Sequence, residues 1–427
     1  MRGRARAFPQ GRLVAEYLAR TYESPTAAAT APRVGSGAAP REPLRWAIAG
    51  RSRERLEAVR ASLGDDGEDV GVLVADSHDD DSLAALCSQT SVIATTIGPY
   101  AEHGAALVEQ CVANGTDVCD LTGEPQFVRR SIDAHHVAAA RRGVRIVHCC
   151  GYDSVPSDIG ALIAVQEAKR AAPGEEVHRV DYLHGPADGG VSGGTIASIF
   201  NLLENEPLSV VMETSKPYYL AEGEAGPDCG TLSGVSRVRP LGNAWAGPFF
   251  MAGINELVVR RSVSLQPKVY PKDLLYHERQ VTGRGAKGLF SAVALSLGTM
   301  VGMALLAIGP LRRAIRRWLP SQGEGPTKEK NETGYFNITL VAQAPSGKEL
   351  SRVAVRGTRD PGYGATAAML GEAAVGLART RGRTPPDGAL AGGVLTPATA
   401  LSTALADRLN AVGIVTFAAS SAPAAAA

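Results

Sequence analysis

Short apolar runs and amphipathic stretches alternate along the first third of the chain. Trp46–Ala49, Val70–Val74, Ser91–Ile97, Thr116–Asp120 and Val144–Cys149 are brief, apolar and closed at or near Gly, Asp or Pro, which predicts buried strands. Between them, Arg53–Leu63, Asp79–Cys87, Gly104–Ala113 and Val128–Arg142 have the apolar spacing of helices. Gly11–Tyr22 shows the same spacing through Leu13, Val14, Tyr17 and Leu18. Short strands alternating with helices imply βαβ units and a parallel sheet. Ser24–Pro43, rich in Ala, Pro, Thr and Gly, reads as a flexible insertion.

The pattern changes after Gly151. Pro156–Lys169 looks helical, and longer amphipathic strand candidates follow at Glu176–Leu183, Leu275–Thr282, Gly334–Ala344 and Glu349–Arg356. The last two are joined by Ala344–Gly347, a hairpin turn. The expected fold class is α/β: a Rossmann-type parallel sheet over residues 1–155, with residues 24–43 inserted, and a second α+β domain with antiparallel strands over 156–419. Ser321–Lys330 reads as a polar linker and residues 420–427 as a disordered tail.

One segment breaks the amphipathic rule. Gly288–Leu311 carries no charge and is apolar on all sides, and about 20 such residues cross a bilayer as a helix. Arg312, Arg313, Arg316 and Arg317 follow it and would sit among headgroups on the cytosolic side. Pro310 predicts an end or bend of the helix. The competing expectation is a helix buried in the protein or a homodimer interface, favoured by its small residues Ser291, Ser296, Gly298, Thr299 and Gly302.

The 427 residues carry a net charge of +1, which offers nothing to nucleic acid. The six cysteines show neither CxxC pairs nor Cys/His metal spacing, so a reducing compartment and no metal site are expected. No GxSxG elbow supports hydrolase chemistry.

Candidate chemistry collects at the carboxyl ends of the predicted strands, where open α/β sheets bind ligands. The first such end, Gly50-Arg51-Ser52, puts a guanidinium where a dinucleotide fold places the adenosine ribose; an arginine there suits the 2′-phosphate of NADP(H). Asp76 ends the next strand, as an adenine contact or a helix N-cap. Thr96, Gly98, Pro99 and Tyr100 end the third, where the nicotinamide ribose would lie. The pyrophosphate turn is defective. Gly11 begins the right helix, but Arg4–Gln10 supplies neither a hydrophobic first strand nor GxGxxG. Weak NADPH binding is therefore expected.

LRWAIAGRSRERLEAV from Leu44, TTIGPYAEHGAALVEQC from Thr95, DVCDLTGE from Asp117 and GYDSVPSDIG from Gly151 resemble the saccharopine dehydrogenase-like oxidoreductases, and within them the trans-acting enoyl reductase branch. PGYGATAAMLGEAA (Pro361–Ala374) and GGVLTPATAL (Gly392–Leu401) are similar to the same branch, so the resemblance covers about Gly11 to Phe417. In that family a GATGFTG-like turn precedes the first helix; Gly11 matches its last glycine, and Ala5 and Phe8 occupy the positions of the first two.

The resemblance implies an NADP(H)-binding domain and a second domain that shapes a pocket for lipid-like polyketide chains. It implies hydride addition to the β carbon of an unsaturated thioester and protonation of the α carbon. Tyr152, Ser154 and Tyr100 are the candidate proton donors, and Ser192–Thr195 a candidate cleft segment. A membrane-associated or lipid-droplet location follows from the apolar segment, or a cytoplasmic one if that helix is buried. Two other readings stand beside this one: a non-catalytic membrane or lipid-droplet protein that has lost the cofactor turn, and a saccharopine-type amino-acid dehydrogenase.

Overall fold

The structure, a computed structural model, describes residues 9–23, 43–189, 193–223, 226–227, 234–317 and 327–421. The parallel sheet is present in two pieces. β1 (Ala47–Gly50) pairs with β2 (Gly71–Val74). β3 (Val92–Thr95), β4 (Asp117–Asp120) and β5 (Arg145–Val147) form the second piece. Among the described residues no strand joins β1 to β3. The helix α1 (Pro9–Thr21) stands where the sequence places it, and residues 1–8, which hold the defective turn, lie outside the described residues. Burial follows the pairing: β4 and β5 are buried at every position, whereas β1 alternates exposed and half-buried ones.

The second part is built on α2 (Val155–Ala171) and a seven-stranded mixed sheet. Its strands are β6 (Arg179–Asp188), β7 (Ser236–Val238), β8 (Ala244–Pro248), β9 (Leu275–Gly283), β10 (Tyr335–Gln343) and β11 (Glu349–Gly357), with β13 (Val415–Ser421) at one edge. The expected hairpin is β10–β11, antiparallel. Helices α3 (Gly193–Asn205), α4 (Leu208–Thr214) and α5 (Ala252–Leu265) interrupt the strands. After β9 come α6 (Gly285–Ala307) and α7 (Gly309–Arg316), with Pro310 in the first turn of α7, so the chain breaks there as its proline predicts.

Neither piece of the chain keeps to one sheet. The chain returns to the parallel sheet near its end: α8 (Thr366–Thr380) packs against β3, β4 and α1, and β12 (Gly393–Leu395) pairs in parallel with β5. A division at residue 155 therefore does not follow the chain. The apolar run Gly393–Leu395 is too short to announce a strand, and only the buried groove beside β5 makes it one. Ser420 and Ser421 belong to β13, and of the expected tail residues 422–427 lie outside the described residues. Of the expected insertion, residues 24–42 do so as well, and Pro43 bridges to Glu23.

Helix α6 packs on β8 and β9 through the buried Gly288, Ala292 and Ser296, with Leu295 against Gly247. The match is close: a Cβ on Gly247 of β8 would lie 3.3 Å from the Ala292 carbonyl oxygen. The rest of the helix is uncovered, with Phe290 75% and Met300 64% exposed. A helix buried in its own chain is thus not what the small residues of this segment produce.

Two buried ionic groups tie distant parts of the chain together. The Glu372 carboxylate on α8 accepts hydrogen bonds from Tyr17 and Tyr22 of the N-terminal helix region and pairs with Arg408 of α9 (Ala404–Val412) at 2.8 Å. Asp117 at the start of β4 accepts from the Arg145 backbone N–H at 2.9 Å and its guanidinium at 2.6 Å, and pairs with Arg381 at 2.7 Å. Arg145 is itself buried, so removing its partner strands a charge in the interior. Asp117→Ala is expected to cost about 3–5 kcal/mol, read as a lowered midpoint in urea unfolding; a loss under about 1 kcal/mol would show the pair to be solvated.

Candidate active site

A cavity of about 620 Å³ lies between the carboxyl ends of β3, β4 and β5 and the second sheet. Its floor is made of the loops that follow the parallel strands: Thr96, Gly98, Pro99 and Tyr100, then Leu121 and Gly123, then Gly151 and Asp153. Its opposite walls are apolar, from Ile199, Leu202 and Leu203 of α3, Val211 of α4, Phe249, Phe250 and Met251 after β8, and Leu257 of α5.

The floor is held by side chains that spend their hydrogen bonds on backbone. Glu124 accepts from the N–H groups of Tyr100 and Ala101, both at 2.9 Å, and from the Ser198 hydroxyl of α3 at 3.0 Å. Burial raises its pKa above the usual carboxylate range, against the pull of those N–H donors. Asp120 bonds His148 Nδ1 at 2.6 Å and accepts from the N–H groups of Thr122 and Cys149. Cys149 has φ 63°, a left-handed conformation that costs a non-glycine residue about 1–2 kcal/mol. Asp120 holds it there, and the kink turns the chain into Gly151. A Cβ on Gly151 would come within 2.9 Å of Leu121 Cδ2 and 3.1 Å of Thr366 Cγ2, so a side chain there would have to displace both.

Three carboxyl groups reach the cavity: Glu256, which pairs with Arg260 at 2.7 Å, and the two whose pKa burial raises, Glu278 and Asp153. Glu278 of β9 is buried, accepting from the Tyr276 hydroxyl at 2.7 Å and Asn255 Nδ2 at 2.8 Å. Burial pushes its pKa up to about 8. Asp153 is raised by burial to about 6. At neutral pH Glu278 carries a proton and Asp153 is mostly ionised.

The three proton-donor candidates are all engaged elsewhere. The Tyr100 ring lines the cavity, but its hydroxyl donates to the Thr95 carbonyl at 3.1 Å and accepts from Leu121 N–H at 3.2 Å. The Tyr152 hydroxyl bonds His184 Nε2 at 2.7 Å, behind a ring stack of His184 on Phe249. Burial lowers His184 to about 4, so it is neutral, and raises Tyr152. The Ser154 hydroxyl donates to Asn255 Oδ1 at 3.1 Å, one residue removed from Glu278.

Among the cofactor candidates, Thr96, Gly98, Pro99 and Tyr100 come together in the cavity, and Gly11 abuts them: a Cβ on Gly11 would lie 3.0 Å from Thr96 Oγ1. Gly50, Arg51, Ser52 and Asp76 lie apart, at the ends of β1 and β2. Ser52 caps the helix Arg53–Ala61, accepting from Arg55 N–H at 3.3 Å. Asp76 accepts from His78 N–H at 3.1 Å, while the N-cap of the following helix is Asp79. Arg51 is exposed and makes no ion pair among the described residues. Ser192 lies outside the described residues, and Gly193 opens α3.

No protein-family model matches the chain. A Mycobacterium tuberculosis protein named as a trans-acting enoyl reductase is 38% identical over 418 residues, spanning 95% of this chain and 93% of its own. Trans-acting enoyl reductases of Mycobacterium leprae and Mycobacterium ulcerans are each 34% identical, spanning 87% of this chain and 90% of their own. Among solved structures, the apo saccharopine dehydrogenase (L-Glu forming) of Saccharomyces cerevisiae superposes with a TM-score of 0.49 at 14% identity, over 96% of this chain and 98% of that one.

The raised acid gives a pH signature. Glu278 moves from a usual 4.5 to about 8 on folding, so the folded state binds its proton more tightly. Its contribution to stability is complete below the unfolded value and is lost as pH rises through the folded one. Glu278→Gln is expected to flatten the fall of Tm between those two pH values, measured by thermal melts; an unchanged slope would show that Glu278 is ionised throughout.

Proposed function

Since the chain belongs to the trans-acting enoyl reductase family, we propose that this enoyl reductase-like oxidoreductase reduces an α,β-unsaturated bond in a lipid or polyketide-type chain, with NADP(H) as cofactor, at a membrane surface. The observation that carries this reading is the cavity: largely apolar walls meet the carboxyl ends of the parallel strands, and the buried Glu278 carboxyl lies in the lining. Apolar walls suit a hydrocarbon chain, because each buried methylene contributes about 0.8 kcal/mol. The lining also carries Asp153, Lys216, Glu256 and Arg260, of which Glu256 and Arg260 pair with each other at 2.7 Å.

The residues present fit the two ends of a dinucleotide. Thr96, Gly98, Gly123 and Gly151 offer a floor with little side-chain bulk for a nicotinamide, and the exposed Arg51 offers a charged fork to a 2′-phosphate. When bound, the reduced nicotinamide supplies the hydride for the β carbon. The chain's own task is to place the double bond over the Gly98–Tyr100 loop, to exclude water with the α3, α4 and Phe249 walls, and to deliver a proton to the α carbon. Glu278 is the cavity acid that holds a proton at neutral pH, with Asn255 and Tyr276 fixing its carboxyl group. Net addition is one hydride and one proton across one carbon–carbon double bond. The sequence of Arg4–Gln10, which lacks a Gly-rich turn, supports the non-catalytic alternative in one respect: it favours weak cofactor binding.

Two measurements test the reading. With a crotonyl thioester and NADPH, Glu278→Gln is expected to lower turnover by about a hundredfold or more, the usual range for a general acid. The parent's rate should fall as pH rises past about 8. Full activity in Glu278→Gln excludes it as the donor, and no turnover by the parent favours the non-catalytic reading. Separately, the chain should prefer NADPH to NADH by about tenfold or more, since a hydrogen bond to a charged group contributes about 1.5–3 kcal/mol. Dissociation constants measured by titration should show Arg51→Ala losing that preference; equal preference in both proteins removes Arg51 from the site.

A further inference from the structure

The exposed residues of the cavity lining mark its mouth: the apolar Ile199 of α3, Phe250 after β8 and Met303 of α6, exposed by 39%, 59% and 59%, together with Ser215, Lys216 and Gly253. The rim on the apolar side is the C-terminal half of α6, the half that has left the sheet. The apolar surface continues along α6 through Phe290, Leu297, Met300 and Val301, and across α4 through Leu208 and Met212. The apolar side of the mouth is costly in water and stable against lipid, and Lys216 on the other side suits the headgroup level.

The charges beside it agree. Helix α7 folds back on α3, where Arg316 pairs with Glu204 at 2.7 Å and lies over the Phe200 ring at 5.7 Å; Arg312 approaches Glu204 at 3.6 Å. Arg313 and Arg317 complete a basic recess in which four guanidiniums face a single carboxylate. Helix α3 separates the two features. Ile199, Leu202 and Leu203 line the cavity, while Phe200 and Glu204 meet the arginines, so mouth and basic recess lie about one helix diameter, roughly 10 Å, apart.

We propose that this mouth is a lateral portal seated on an anionic bilayer, through which an acyl chain passes from the leaflet into the cavity while the α7 arginines hold lipid phosphates at the headgroup level. For the chemistry of the chain that enters, this rests on the function proposed above. The chain would move from hydrocarbon to the apolar wall of α3 and α4 without crossing water, so its desolvation is avoided. The α6 face Phe290–Val301 would lie in the acyl region. The headgroup contact would be electrostatic and weakened by salt.

The test uses the full chain and vesicles of phosphatidylcholine with or without phosphatidylglycerol. A tryptophan placed at the mouth, Met303→Trp, should be quenched when the vesicle lipids carry brominated acyl chains, above the quenching of the parent's own tryptophans. Arg313→Glu with Arg317→Glu should lower vesicle binding about tenfold or more on phosphatidylglycerol vesicles, as read by flotation. Leu297→Glu with Met300→Glu, at exposed positions outside the cavity, should lose turnover of a long-chain enoyl thioester delivered in vesicles by tenfold or more and keep turnover of crotonyl thioester in solution. Retained turnover of the vesicle-borne substrate, or an unquenched Met303→Trp, overturns the portal; a solution dimer that hides Met303 would give the second result. If the parent reduces neither thioester, the proposed reaction fails, and the quenching alone decides the portal.

Discussion

One buried carboxylate, Glu124, holds the three parts of the site in register. It ends the DLTGE stretch after β4, gathers the N–H groups that begin the helix after Gly98-Pro99, and takes the Ser198 hydroxyl from α3. The first contact fixes the floor, and the last fixes an apolar wall that belongs to the other sheet. No alternative partner is at hand for those two N–H groups, and an unpaired buried N–H costs about 1–3 kcal/mol. Glu124 thus links the loop after β3 to α3, and its side chain spans the distance from floor to wall.

The cavity also shows how one apolar enclosure gives two acids different jobs. Asp153 and Glu278 are both raised by burial, but to about 6 and about 8, on opposite sides of neutrality. On the function proposed above, the walls that would exclude water from a hydrocarbon chain also raise the pKa of Glu278. If the proposed reaction holds, substrate class and acid strength are coupled: opening the cavity to water would lower the pKa of Glu278 along with the affinity for an acyl chain.

Much of this was legible in the sequence where the pattern is local. The strands β1 to β5, their helices and the β10–β11 hairpin follow from apolar spacing and turn residues, and the Gly98–Tyr100 loop follows from its place after an apolar run. Pro310 announced the break between α6 and α7. The limits are equally physical. β12 is three residues long and is a strand only because β5 offers it a buried edge. The hydroxyls of Tyr100, Tyr152 and Ser154 carry the right chemistry, but sequence cannot show that Thr95, His184 and Asn255 already occupy them. Glu278 left a trace: in Tyr276-His277-Glu278 it stands two residues after a buried tyrosine, on the same face of a strand. A carboxylate at a core-facing position signals either a paired charge or a working acid. Glu124 left no such trace, because its partners come from two loops far along the chain.

The late return of the chain to its first sheet has a consequence for biogenesis. β5 acquires its outer neighbour only when residues 393–395 have been made, and α1 acquires the Glu372 and Arg408 that anchor its tyrosines only after most of the chain has left the ribosome. Until then a growing chain would carry an open parallel edge and, once Gly285–Ala307 has emerged, an apolar helix with little protein to cover it. Contacts of such long sequence separation form slowly. The parallel sheet can therefore be completed only once residues 393–395 have been made, and its edge at β5 stays open to other strands for the whole interval between the synthesis of β5 and of those residues.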